Sequence, residues 1–167
     1  MSKPSGALIH VSSQNNQSPA QTAVIDARGL IAASSTAALA TLDRQSAGPY
    51  VSLVSIAATA GHVPVLLLSE LAQHTQNLIA NARASLLFSA VPGVQDPLTL
   101  ARVTLIGSLE RTADADARNA FLAQHPAAAQ YADFGDFAFY RFNIENAHFI
   151  GGFGRIVALS RNDLLKG

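Results

Sequence analysis

The sequence predicts a mainly β domain with peripheral helices, folded as a barrel or a sandwich. Three observations carry this reading. Short apolar or alternating runs recur along the chain, turn residues join most of them closely enough for hairpins, and helical periodicity is confined to a few stretches between them. At 167 residues the chain is long enough for one domain with its own core.

Residues 1–20 are rich in Ser, Gln, Asn and Pro and read as a flexible N-terminal arm, ahead of a single domain over 21–167. Val24, Ile25, Ala27, Leu30 and Ile31 recur at helical spacing and predict a helix over 21–33. Residues 37–43 (AALATLD) alternate, and Gly48-Pro49 marks a turn. In YVSLVSIAA (50–58), a strand would place Val51, Leu53 and Ser55 on one face and Ser52, Val54 and Ile56 on the other. Gly61 to Pro64 turns the chain into the apolar run 65–68, a buried strand.

A polar helical pattern then reaches Arg83, and ASLLFS (84–89) is the next strand. After a Pro/Gly/Asp loop at 91–97, residues 102–112 form the longest strand candidate, with Gly107 a bulge or a close backbone approach. Residues 114–124 read as a helix with acidic residues in its first turn, interrupted by Pro126. Three short strands (137–144, 147–153 and 155–160) and a terminal helix from Arg161 complete the reading.

Composition excludes several function classes. Lys plus Arg equals Asp plus Glu at 11 each, so the basic excess that phosphate neutralisation requires is missing and nucleic acid is not an expected partner. The absence of cysteine removes disulfides, thiolate nucleophiles and sulfur-ligated zinc. No apolar stretch approaches the roughly 18–20 residues of a membrane span, and the N-terminus lacks a signal-peptide pattern. A cytoplasmic protein with no membrane partner is therefore expected. Charged residues make up only 13%, below the usual quarter or so, which predicts that part of the surface is hidden in a homodimer.

The segment LLLSELAQHTQNLIANARASLLF (66–88) concentrates polar residues where strand turns to helix. Ser69 suits a helix cap. Leu71, Thr75, Leu78 and Ala82 fall on one helical stripe, and His74, Asn77 and Asn81 on another. Free N–H groups, a partial positive charge, a hydroxyl and an imidazole suit a phosphate group. The same residues also suit a plain capped helix with a solvated face. No glycine-rich P-loop, GxGxxG or GxSxG motif is present, which argues against nucleoside triphosphates, a Rossmann dinucleotide site and an α/β-hydrolase elbow.

PYVSLVSIAATAGHVPVLLLSELAQHTQNLIANARASLLF, RVTLIGSLER and DFAFYRFNIENAHFIGGFGR together resemble the FMN-binding split barrels related to pyridoxamine 5′-phosphate oxidase, and most closely their haem-utilisation branch. The resemblance spans roughly residues 35–160. It implies an antiparallel six-stranded split β-barrel, paired as a homodimer with FMN across the interface. Tyr50, Val51, Ser52, Leu53 and Val54 would meet the flavin, and Ser69 would lie beside its ring. Gln73 and His74 match phosphate-binding positions, Thr75 and Asn77 complete that corner, and Arg102 reaches it from a neighbouring strand. Gly151, Gly152 and Gly154 would let the chain pass close to a substrate groove.

The departures are specific. Those oxidases carry a Trp where this chain has Ile150, and only Arg155 remains of their basic final hairpin, as a candidate substrate contact. Pyridoxamine phosphate is therefore not the expected substrate. A histidine is a weaker phosphate ligand than lysine near neutral pH. The haem-degrading branch uses an iron-ligating histidine that would lie beyond Gly167, so that ligand is not expected here. His10, His62, His74, His125 and His148 are scattered and form no metal pair. Glu110, Asp114 and Asp116 read as a solvated helix start, so no catalytic acid or base is assigned. The sequence thus supports an FMN-dependent oxidoreductase acting on a small molecule, or a haem- or flavin-binding protein without turnover of its own.

Overall fold

A computed structural model describes residues 18–90 and 96–165. The expected arm lies outside the described residues except for its last three, which open the first helix. Helix α1 (Pro19–Ala33) starts two residues before the predicted helix, because Ser18 and Gln21 form a capping box with Pro19 in the first turn. The Gln21 N–H donates to Ser18 Oγ at 3.2 Å, and the Ser18 N–H donates to Gln21 Oε1 at 2.9 Å. Ala23, Ala27 and Ile31, spaced four apart, form the buried stripe.

Strand β1 (Thr36–Leu42) forms a hairpin with β2 (Pro49–Ser55), and β3 (Ala57–Ala58) forms one with β4 (Pro64–Ser69). Helix α2 (Gln73–Ala80) leads to β5 (Arg83–Ser89), which pairs with both β1 and β6 (Ala101–Thr112). Helix α3 (Ala115–Gln124) precedes β7 (Phe137–Gly151), β8 (Ile156–Ser160) and the short α4 (Arg161–Leu165).

The eight-stranded sheet runs β2-β1-β5-β6-β7-β4-β3, with β8 also on β7. Strand β7 organises it. One edge pairs with β6 through residues 139–151, whereas the other pairs with β4 through residues 137–141 and with β8 through residues 146–150. Every pairing is antiparallel, and the sheet curls into a half-barrel, the split-barrel class expected above.

Two apolar cores explain why the run at 65–68 lacks alternation. Leu66 and Leu68 face the interior of the curl with Leu39, Leu86, Phe142 and Phe149. Val65 and Leu67 face a second cluster with Phe121 and Phe139. With both faces covered, no polar position is needed.

The three expected C-terminal strands are two, and β7 at 15 residues exceeds β6 at 12. The polar pair Glu145-Asn146, which reads as a break, is absorbed by a bulge: Ile106 pairs with Asn146 and Gly107 with Ile144, leaving Glu145 as the extra residue. Both expectations for Gly107 hold there, since a Cβ would stand 2.0 Å from the Asn143 carbonyl oxygen. Among the described residues, no helix is long and apolar enough to cross a membrane.

Candidate functional site

Strands β2 and β4 approach each other across the open side of the half-barrel, and α2 packs on β1 and β2. A cavity of about 330 Å³ lies at this junction. Leu53, Leu67, Phe121, Tyr131 and Phe137 give it an apolar wall, and Ser55, Ser69 and His74 add polar points. Among the described residues, no lysine or arginine lines it.

His74, half-buried at the start of α2, places Nδ1 3.1 Å from the Ser52 hydroxyl oxygen. Burial lowers its pKa, so the imidazole is neutral near pH 7. Strand alternation on β2 turns Ser52 and Val54 inward, while Val51 and Leu53 are 63% and 75% exposed. This is the two-faced pattern the sequence predicts. Tyr50, half-buried, pairs with Thr41 near the start of the strand.

Ser69 does not cap the helix. It is the last residue of β4; its hydroxyl donates to Asp136 Oδ2 at 2.8 Å and accepts the Leu71 N–H at 3.2 Å. A turn through Glu70 and Leu71 intervenes, so the helix starts at Gln73 with Ala72 as its cap residue, which supplies no side-chain bond. Leu71, expected on the core stripe, lies in this turn and is 82% exposed.

Asn77 lies on the buried face, not on the polar stripe with His74. Its Nδ2 donates to Thr41, and its Oδ1 accepts from the Arg44 backbone and from Gln73 Nε2. Gln73 also donates to Asp43. Both side chains thus tie α2 to the β1–β2 turn. Thr75 is fully buried, and its hydroxyl has no partner among the described residues.

Arg102 does not reach this corner within one chain. The Thr41 row crosses β5 at Ala84, whereas Arg102 pairs with Ser89, five residues along the strand and about 17 Å away at the usual rise. Its guanidinium donates to the Leu98 and Leu100 carbonyls and lines a separate cavity beside Phe153. Arg155, expected as a substrate contact, pairs with Asp26 on α1 and stacks over Phe149 at 5.4 Å. Gly151 makes room for it, since a Cβ there would lie 2.6 Å from Arg155 Nε. Gly152 and Gly154 take positive φ, and so serve the turn itself.

Asp114 and Asp116 both face Arg141, and among the described residues no three metal-ligating side chains cluster.

The sequence profile of the family described as "CREG, beta-barrel" matches residues 18–164. The chain belongs to the CREG β-barrel family.

As a CREG β-barrel protein it is 37% identical over 107 residues to "Non-canonical heme oxygenase HOZ, chloroplastic" of Arabidopsis thaliana, covering 62% of this chain and 32% of that protein. A solved heme binding protein from Mycobacterium smegmatis is 33% identical, with a TM-score of 0.80 over 90% of this chain and 61% of that one. A general stress protein 26 relative of the pyridoxinephosphate oxidase family from Clostridium acetobutylicum shares the fold at 15% identity, with a TM-score of 0.65 over 86% of this chain and 98% of that one. The CREG β-barrel chain thus spans a third of the curated relative and under two thirds of the heme binding protein. These likenesses agree with the resemblance to the haem-utilisation branch.

The aromatic wall of the CREG β-barrel cavity was not anticipated from sequence. Phe121 reads as the core residue of an ordinary helix, and only the packing of α3 beneath β4 brings it to the cavity. Tyr131 and Phe137 arrive through a tilted ring contact at 5.1 Å, for which the sequence carries no local signal.

Proposed function

We propose that this protein binds haem in the cavity between β2, β4 and the start of α2. The carrying observation is the cavity's chemistry: an apolar, partly aromatic wall, one neutral imidazole and, among the described residues, no lining cation. The FMN phosphate is close to a dianion at neutral pH and calls for charge-assisted donors. A porphyrin instead presents a broad apolar plane that Leu53, Leu67, Phe121 and Phe137 suit, with its carboxylates turned to water. Haem, when bound, supplies a redox-active iron whose reactivity the surrounding polarity tunes. The protein contributes binding, orientation and exclusion of water along the aromatic wall. The similarity to the heme binding protein of M. smegmatis and to the non-canonical heme oxygenase of Arabidopsis supports this reading.

The site is proposed to be completed by a second copy of the chain. Leu53, Ala38 and Leu87 form a cross-strand row on the outer face of the sheet, with Val51 and Ala40 in the next row. A low charge fraction and this exposed apolar face favour a homodimer.

One observation favours FMN as a second reading. The first turn of α2 has no side-chain cap, and although the Thr75 N–H donates to the Ala72 carbonyl at 3.0 Å, the Gln73 and His74 N–H groups remain available to an anion. That reading requires the cation missing from this cavity to come from the partner subunit. Parallel titrations of the purified protein with haemin and with FMN, followed by absorbance, separate the two. Saturable micromolar or tighter haemin binding with weaker FMN binding is expected; the reverse order overturns the proposal.

A further inference from the structure

The His74 imidazole is held at one nitrogen and open at the other. Nδ1 meets Ser52 Oγ at 3.1 Å, while Nε2 makes no hydrogen bond to any described residue. Among the described residues, His74 is also the only histidine lining the cavity. The other described histidines are placed for different work. His125 Nε2 contacts the Ile56 carbonyl at 2.8 Å and its ring lies against Phe121, His62 sits at positive φ in the β3–β4 turn, and His148 is exposed on β7.

We propose, resting on the haem reading above, that Nε2 of His74 is this protein's ligand to the haem iron and that Ser52 orients the ring through Nδ1. A neutral imidazole binds iron through the nitrogen that carries no proton, so ligation at Nε2 requires the proton on Nδ1. A serine hydroxyl can accept that proton's hydrogen bond, because it acts as donor or acceptor by rotation. A hydrogen-bond acceptor behind the ring fixes the tautomer and makes the imidazole a better donor to the metal, the usual arrangement behind ligating histidines. Half-burial restricts the ring further, and the apolar wall shields an iron–nitrogen bond from water. The competing ligand on the same cavity is the Tyr131 hydroxyl, whose ring packs against Phe137.

The test uses the full chain loaded with ferric haem and reads absorption and electron paramagnetic resonance spectra, not turnover. Replacing His74 with Ala should abolish the wild-type spectral signature and weaken haemin at least tenfold, and added imidazole should restore the spectrum. His74→Met, which fills similar space, should give a thioether-ligated spectrum and guards against misfolding of the alanine variant. Ser52→Ala should keep ligation but weaken haemin several-fold, and Tyr131→Phe should leave the spectrum unchanged. A His74→Ala protein with wild-type spectrum and affinity, or a spectrum that changes with Tyr131→Phe instead, overturns the ligand assignment and leaves haem binding standing. Wild-type protein with no saturable haemin spectrum overturns both.

Discussion

Asn77 donates from Nδ2 to the Thr41 hydroxyl over 3.1 Å, and both residues are buried. This bond sets α2 against the end of β1 beside the β1–β2 turn, and therefore sets where His74 stands. Asn77→Ala strands the buried Thr41 hydroxyl, a group that costs about 1–3 kcal/mol when left unpaired, and removes the acceptor of the Arg44 N–H in a part-buried bond. A loss of at least about 1 kcal/mol in urea unfolding is expected. A variant within about 0.5 kcal/mol of wild type, the scatter of ordinary surface changes, would contradict this anchoring role.

Thr75 makes the opposite case. Its hydroxyl is fully buried without a partner among the described residues, so Thr75→Val keeps the shape and removes a desolvated polar group. The variant should be as stable as wild type or more stable, with haemin affinity unchanged. Destabilisation by more than about 1 kcal/mol, the net worth of a typical hydrogen bond, would mean that the hydroxyl is satisfied in solution. A selective loss of FMN affinity would instead revive its role in a phosphate cradle.

The ligand-free protein should lose stability in mild acid through His74. Its folded pKa lies below the ordinary 6.5 because burial disfavours the charged ring. The unfolded chain therefore takes up this proton first as pH falls. The contribution is complete above the unfolded pKa and is lost as pH drops through the folded pKa. Thermal midpoints of wild type should fall more steeply between pH 7 and pH 5 than those of His74→Asn. Parallel slopes would show that the ring is solvated.

Leu53→Asp tests the second copy. Placed on the exposed row with Ala38 and Leu87, the carboxylate should leave the fold intact and shift sedimentation toward a monomer. Wild-type protein sedimenting as a monomer at micromolar concentration would remove the homodimer from the account.

Local pattern made most of this fold legible. Alternation in 50–56 placed the two faces of β2, and Gly107 announced its own close approach. Ser18 and Gln21 carry a capping signature that reads directly from the sequence, and it moves the helix start back to Pro19. The site was less legible because its polar residues are satisfied by distant partners. Ser69 looks like a cap until Asp136, 67 residues away, takes its hydroxyl. Asn77 looks solvated until Thr41 meets it from β1. Arg102 and Arg155 are basic residues near glycines and turns, and only sheet register and Asp26 show that both are held elsewhere.

The central claim, that a porphyrin occupies the cavity between β2, β4 and α2, is tested most directly by methyl proton–carbon NMR spectra with gallium(III) protoporphyrin, a diamagnetic stand-in for haem. The ring current of a bound macrocycle should shift the methyl signals of Leu53, Val54, Leu67 and Leu68, which line that cavity, and should leave those of Leu98, Ile150 and Ile156 around the Arg102 cavity in place. Shifts confined to the Arg102 cavity, or no saturable shifts while FMN moves the Leu53 and Val54 signals, would contradict it.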